Sequence, residues 1–103
     1  MIRIPTDRAP IHPGEALRED FLPDLGLTQE ALASHLGISF RRVNEILNEK
    51  RPVTLDTALR LGFLFDQSPA FWLNLQLAFD VYHALHSEEA DRIRKEIKPL
   101  RVA

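Results

Sequence analysis

The sequence predicts an all-α protein, folded as a compact bundle of five or six helices. Apolar residues recur at the three- and four-residue spacing of helices along most of the chain, and no segment shows the alternation of a strand. A serine or threonine that can cap a helix precedes five of these segments, at Thr28, Ser39, Thr54, Ser68 and Ser87. At 103 residues without cysteine, the chain is long enough to close one hydrophobic core without disulfide bonds.

The helices are predicted in the following order. The first opens at His12-Pro13, with proline tolerated in the first turn, and runs to about residue 23 before Gly26, a natural left-handed stop. The second spans 28–36 and ends at Gly37, the third runs from 40 to about 48, and the fourth spans 55–65. The fifth runs from 70 to about 85, and the sixth starts at 87 and fades near 98. Residues 1–11 are predicted to be a flexible N-terminal arm.

Composition and motifs exclude several classes of function. The most apolar region, residues 63–85, is interrupted by polar residues, and the N-terminus has no apolar run typical of a signal, so we expect a cytoplasmic protein without a membrane span. The chain has no HExxH, GxSxG or glycine-rich phosphate loop and no cysteine, which indicates neither an enzyme nor a cofactor. His83 and His86 lie three residues apart but lack an evident third ligand, so no metal site is predicted.

The segment from Thr28 to Asn48 carries the pattern that suggests a function. Two short capped helices meet at a tight turn containing Gly37, with the small Ala33 where the helices must approach each other. Their apolar residues would lock the pair together, so that the third helix projects its other face outwards, as a helix that enters the major groove of DNA requires. Residues 12–66 therefore form the predicted DNA-binding core, and residues 67–103 complete the same domain.

The outward face of the third helix is rich in groups that can read bases. Arginine can pair with guanine, asparagine with adenine and glutamate with cytosine, while an apolar ring can meet a thymine methyl group. The residues predicted to read bases are Phe40, Arg41, Arg42, Asn44 and Glu45. Those predicted to contact phosphates are Thr28, Gln29, Ser39, Asn48, Lys50 and Arg51. Glu45 is better suited to orienting a neighbouring arginine than to reading a base itself.

The net charge of −2 argues mildly against a nucleic-acid binder, because such proteins usually carry a basic surface. The charges are unevenly distributed, however. Four basic residues fall within 41–51, whereas acidic residues are concentrated in 7–24. We therefore expect DNA binding with only modest non-specific affinity.

The segment TQEALASHLGIS (28–39) resembles the helix-turn-helix of the phage-repressor (XRE or Cro/C1-type) family. Three further segments resemble HigA-type antitoxins of bacterial toxin–antitoxin modules: HPGEALREDF (12–21), ILNEKRPVT (46–54) and SPAFWLNLQ (68–76). The resemblance implies a phage-repressor-like helix-turn-helix and a dimeric repressor that binds its own operator DNA and neutralises a HigB-type, mRNA-cleaving toxin. Two positions depart from the pattern: Glu49 stands where glycine is common, and Phe40 is unusually apolar for the start of a recognition helix.

The fifth helix is apolar on two sides, which in a small domain calls for two partners. Phe71, Leu75, Phe79 and Tyr82 are predicted to pack on the domain. The dimer interface is predicted to contain Leu73, Leu77, Val81 and Ala84. Residues 1–10 and the helix over 87–102 are alternative toxin-binding surfaces. Two other functions remain open, a solitary XRE-type regulator without a toxin and a helical adaptor that does not bind DNA.

Overall fold

The computed structural model describes residues 9–101, so residues 1–8 of the predicted arm (1–11) and the last residue of the segment 87–102 lie outside the described residues. Helix α1 covers residues 13–25 and contains a π-helical turn, Leu17–Phe21, between Pro13–Ala16 and Leu22–Leu25. The others are α2 (Gln29–Leu36), α3 (Phe40–Leu47), α4 (Leu55–Phe65), α5 (Pro69–Leu85) and α6 (Glu88–Glu96). Residues 9–101 contain no strand, and the all-α prediction is confirmed, with ends that differ by no more than about two residues.

Local signals fix the ends of these helices. The hydroxyl groups predicted to cap α2 to α6 each accept a hydrogen bond from a first-turn amide, as Ser39 Oγ does from Arg42 N at 3.1 Å. Gly26 and Gly37 end α1 and α2 in the left-handed conformation, with φ of 63° and 70°. These two glycines therefore set the direction of the chain in the turns that follow α1 and α2.

The core lies between α2, α3, α4 and the first half of α5, and α1 contributes Ala16, Leu17 and Leu22 to it. Its most deeply buried large side chains include Leu32, Val43, Leu47, Leu61 and Trp72. They come from each of those four helices, so α5 belongs to the same core as the helix-turn-helix unit. In contrast, α6 buries no residue and packs on α5, and the described chain measures 54 × 25 × 25 Å.

The buried face of α5 differs from the prediction. Trp72 and Gln76 are the deepest large residues of this helix, whereas Phe71 remains 41% exposed. Trp72 Nε1 donates to Gln67 Oε1 at 3.0 Å, and Gln76 Oε1 accepts from the amide of Val53 at 2.8 Å. These hydrogen bonds satisfy the polar atoms inside the domain and allow both residues to be buried.

The start of α1 packs directly against the end of α3. His12 is buried, and its Nδ1 accepts a hydrogen bond from the amide of Gly14 at 2.9 Å, which makes it the N-cap of α1. A Cβ on Gly14 would lie 1.8 Å from the carbonyl oxygen of Ile46 in α3. Only glycine allows this approach, so the His-Pro-Gly sequence positions α1 against α3.

Candidate nucleic-acid interface

Two arginines from neighbouring helices bind the helix-turn-helix unit, which consists of α2, the turn at Gly37 and α3. Arg60 Nη1, from α4, donates to the carbonyl oxygen of Leu36 at 2.9 Å, and Arg18, from α1, donates to that of Leu47. These bonds satisfy carbonyl groups at the C-terminal ends of α2 and α3, where no partner exists within the helix. Both helices are therefore fixed to the rest of the domain at the ends furthest from their capping hydroxyls.

A chain of amide side chains crosses the outward surface from α2 to the end of α3. Asn44 Nδ2 donates to Gln29 Oε1 at 3.0 Å, and Asn48 Nδ2 donates to Asn44 Oδ1 at 3.2 Å. The structure thus brings together one residue predicted to read bases and two predicted to contact phosphates. The side chain of Asn44 is therefore held in one orientation on this surface.

Glu45 lies between two arginines on the same surface. Its carboxylate accepts from Arg51 Nη2 at 2.7 Å and from Arg41 Nε at 3.3 Å. The hydrogen bond from Arg51 is the main reason that the pKa of Glu45 lies below its usual range, and Arg41 lowers it further. The carboxylate is therefore ionised at neutral pH and aligns both guanidinium groups, of which Arg41 is 86% exposed.

Arg42 is directed differently from the other residues predicted to read bases. Its Nη2 donates to Asp56 Oδ2 and to Thr57 Oγ1, both at 2.6 Å. Because Arg42 precedes the buried Ile46 by one helical turn, it lies at the margin of the inward face and reaches α4. The guanidinium of Arg42 therefore joins α3 to α4, whereas the sequence predicted that it faces outwards.

Asp56 accepts hydrogen bonds from two arginines. Besides Arg42, it accepts from Arg60 Nε at 3.0 Å. Hydrogen bonds from Arg42 and then Arg60 hold the pKa of Asp56 below its usual value. Asp56, Arg18, Arg60 and His12 position the unit, and the sequence analysis did not identify this role for any of them.

The remaining polar residues surround the face of α3. Thr28 and Ser39 are exposed N-caps, and Lys50 and Arg51 are exposed in the turn after α3. Phe40, at the start of α3, is 46% exposed. Glu49 has φ of 61°, so this turn retains the left-handed conformation that glycine favours.

The apolar residues predicted to form the dimer interface differ in exposure. Leu73 is partly buried against the core, Leu77 is 49% exposed, Val81 is half-buried and Ala84 is exposed. Farther along α5, His83 packs on Phe79 and His86 stacks on Tyr82, both with ring centroids 4.3 Å apart.

Within residues 9–101, no three histidine, aspartate or glutamate side chains are grouped so that they could hold a metal ion. None of the described helices is both long and apolar enough to cross a membrane.

Comparison with known proteins gives consistent matches. Residues 16–71 match the helix-turn-helix family model. Antitoxin HigA-1 of Vibrio cholerae is 35% identical to this chain, over 95% of it and 90% of the relative. Virulence-associated protein I of Dichelobacter nodosus is 46% identical, over 81% of this chain and 77% of the relative.

Two solved structures are similar along most of their length. One is described as Pseudomonas aeruginosa antitoxin HigA with higBA promoter, with 42% identity, a TM-score of 0.82, and coverage of 89% of this chain and 99% of that one. The other is described as antitoxin GraA in complex with its operator, with 42% identity, a TM-score of 0.83, and coverage of 97% of this chain and 100% of that one. The buried helix-turn-helix unit, its polar outward face and these similarities show that the chain belongs to the helix-turn-helix family and, within it, to the HigA antitoxins.

Proposed function

We propose that this protein is the antitoxin of a HigBA-type toxin–antitoxin system. It binds its operator as a dimer, represses its own promoter and neutralises a HigB-type toxin that cleaves mRNA. The observation that carries the DNA-binding part is the surface formed by α3 and the turn after it, where Arg41, Asn44 and Arg51 are held in place by hydrogen bonds. The two similar structures described with promoter or operator DNA support it.

In this proposal α3 lies in the major groove. Arg41 pairs with guanine and Asn44 with adenine, while Phe40 meets a thymine methyl group and Glu45 aligns the two arginines. Arg42 takes no part in base reading, because Asp56 and Thr57 occupy its guanidinium. The phosphate contacts come from Thr28, Gln29, Ser39, Asn48, Lys50 and Arg51, at the helix N-termini and in the turn after α3.

A second copy pairs through the outer side of α5. Leu77, Val81 and Ala84 form the centre of this surface, with Leu73 at its edge, and a two-fold axis there matches an operator with two related half-sites. The protein acts by binding and not by catalysis, in the cytoplasm where its operator lies. Leu77→Glu should yield monomers by sedimentation, because a buried unpaired carboxylate is costly.

A fluorescence titration with the promoter DNA upstream of the gene tests DNA binding. We expect saturable binding that withstands excess scrambled duplex and weakens with salt. If the two cations assigned to phosphates on each protomer of a dimer, Lys50 and Arg51, make these contacts, log K falls with log salt at a slope of about −4. Absence of binding at micromolar protein and low salt would refute the proposal and favour the adaptor.

A matched pair of variants tests the orientation of α3. Arg41→Ala removes an exposed arginine of the proposed reading face and should cost about 1–3 kcal/mol for each lost guanine contact. Arg92→Ala removes an exposed arginine of α6 and should leave operator affinity unchanged. Equal effects of the two variants would show that α3 does not read the operator.

The toxin part is tested separately. The protein encoded beside this gene should co-purify with it and lose its mRNA-cleaving activity in the complex. A chain that binds its operator but no neighbouring gene product would be a solitary regulator.

A further inference from the structure

An open groove lies between the C-terminal half of α1 and the end of α4. It has a volume of about 290 Å³ and is lined by Asp20, Phe21, Asp24, Leu25, Phe65 and Gln67. This volume is at the lower end of ligand pockets, and it suits one or two side chains from another protein. We propose that this groove docks the partner protein, through an apolar side chain surrounded by lysine or arginine; the inference rests on the proposed antitoxin function.

The floor of the groove is apolar and formed by packed aromatic rings. Phe21 packs on Phe65 and Trp72, with ring centroids 5.1 Å and 4.9 Å away. Leu25 is 54% exposed at the rim, although it is a large apolar residue in the last turn of a helix. A preformed apolar site of this kind can receive an anchor residue without reorganising, as the centres of protein interfaces do.

The charge at the rim decides which partner fits. Asp20 and Asp24 are exposed, and the only basic residue of α1, Arg18, already pairs with Glu19 and Glu49. Two carboxylates without a cation from their own helix repel DNA phosphates and attract a basic protein surface. A basic protein is therefore the occupant that complements this groove.

The two aspartates are also placed where they weaken their own helix. Like charges four residues apart repel each other, and Asp24 lies near the negative C-terminal end of the dipole of α1. A role in folding therefore does not explain them, whereas attraction of a basic partner does. The π-helical turn of α1 ends at Phe21, inside the groove, and such turns occur often at functional sites.

The experiment measures affinity for the protein encoded beside this gene, by calorimetry at two salt concentrations. Asp20→Lys together with Asp24→Lys should weaken binding at least tenfold at low salt, and by less at high salt. Leu25→Ser should weaken it severalfold at both. The melting temperature and operator affinity of the aspartate variant should be no lower than those of the parent chain, which excludes a folding defect.

The charge-matched control places the same changes on α6, as Glu88→Lys with Glu89→Lys, and should leave partner affinity unchanged. Partner affinity within twofold of the parent for all groove variants would overturn the groove inference alone. A loss confined to the α6 variant would place the partner on that helix and overturn it as well. If the parent chain binds its operator but not the neighbouring protein, the antitoxin function fails and the groove inference fails with it.

Discussion

The contact between Gly14 and Ile46 allows a direct test of how α1 positions the recognition helix. A Cβ at Gly14 would lie 1.8 Å from the carbonyl oxygen of Ile46 and 2.8 Å from its carbon. Since relaxed contacts are about 3.5 Å or longer, Gly14→Ala must separate α1 from α3 by about 1.7 Å. Overpacking of this kind costs about 1–3 kcal/mol, and we expect the upper end because the obstacle is backbone and not a rotatable side chain.

Alanine recovers part of that cost, about 1 kcal/mol, through its higher helix propensity. The net loss of about 2 kcal/mol corresponds to a melting temperature lower by roughly 8–16 °C in a domain of this size. Thermal unfolding followed by circular dichroism measures it. Operator affinity, measured below the transition, should also fall severalfold, because the displacement moves α3.

The control for this variant is Gly26→Ala. Gly26 has φ of 63° but nothing within 4 Å of an added Cβ, so it tests backbone strain of about 1 kcal/mol without a clash. Its operator affinity should match that of the parent chain. If Gly14→Ala is no less stable than Gly26→Ala and binds operator as well as the parent, the close approach does not position α3.

Three further predictions concern Glu45, Glu49 and His12. Glu45→Gln removes the carboxylate that Arg51 and Arg41 share. Affinity for scrambled duplex should rise and the preference for the operator should fall severalfold. An unchanged preference would contradict the proposal that Glu45 aligns the two arginines. Glu49→Gly relieves left-handed backbone strain of about 1–2 kcal/mol and loses an exposed ion pair with Arg18 worth less than about 1 kcal/mol. The urea midpoint should therefore rise slightly, and a lower midpoint would count against backbone strain at this position. Burial lowers the pKa of His12 below 6.5, so the unfolded chain takes up the proton at a higher pH than the folded chain. The stability that His12 contributes is therefore complete above pH 6.5 and is lost as the pH falls from 6.5 towards the lowered pKa. His12→Asn keeps a capping acceptor and should flatten this part of the urea-midpoint profile against pH; a profile like that of the parent chain would exclude His12 as its source.

The sequence predicted the helices well because their ends depend on nearby residues. A capping hydroxyl such as that of Ser39 bonds an amide three residues away, and a glycine such as Gly37 needs no distant partner to stop a helix. The same locality explains why the outward placement of Arg41 could be anticipated from helical spacing. Contacts between residues only a few positions apart can be predicted from the sequence alone.

Residues that act over long distances could not be placed in this way. Arg42 lies at the edge of the outward face, and its direction depends on Asp56 and Thr57, fourteen and fifteen residues further along the chain. On α5, helical spacing offered two apolar faces, and the choice depended on hydrogen bonds that bury Trp72 and Gln76. His12 belongs to a residue type that is not a favoured N-cap, so only the hydrogen bond that its side chain accepts from the amide of Gly14 reveals that role.

The net charge of −2 and the proposed DNA binding are reconciled by how the charges are paired. On the α3 side, Asp56 neutralises Arg42, and Glu45 aligns arginines that a phosphate or a base can still reach. Within residues 9–101, Asp20 and Asp24 of α1 form no ion pair, and both line the groove proposed for a basic protein. Since few cations face the DNA, long-range attraction supplies little affinity. Operator binding must then depend on short-range contacts made twice by a dimer, so dimer formation and recognition of the operator are expected to be lost together.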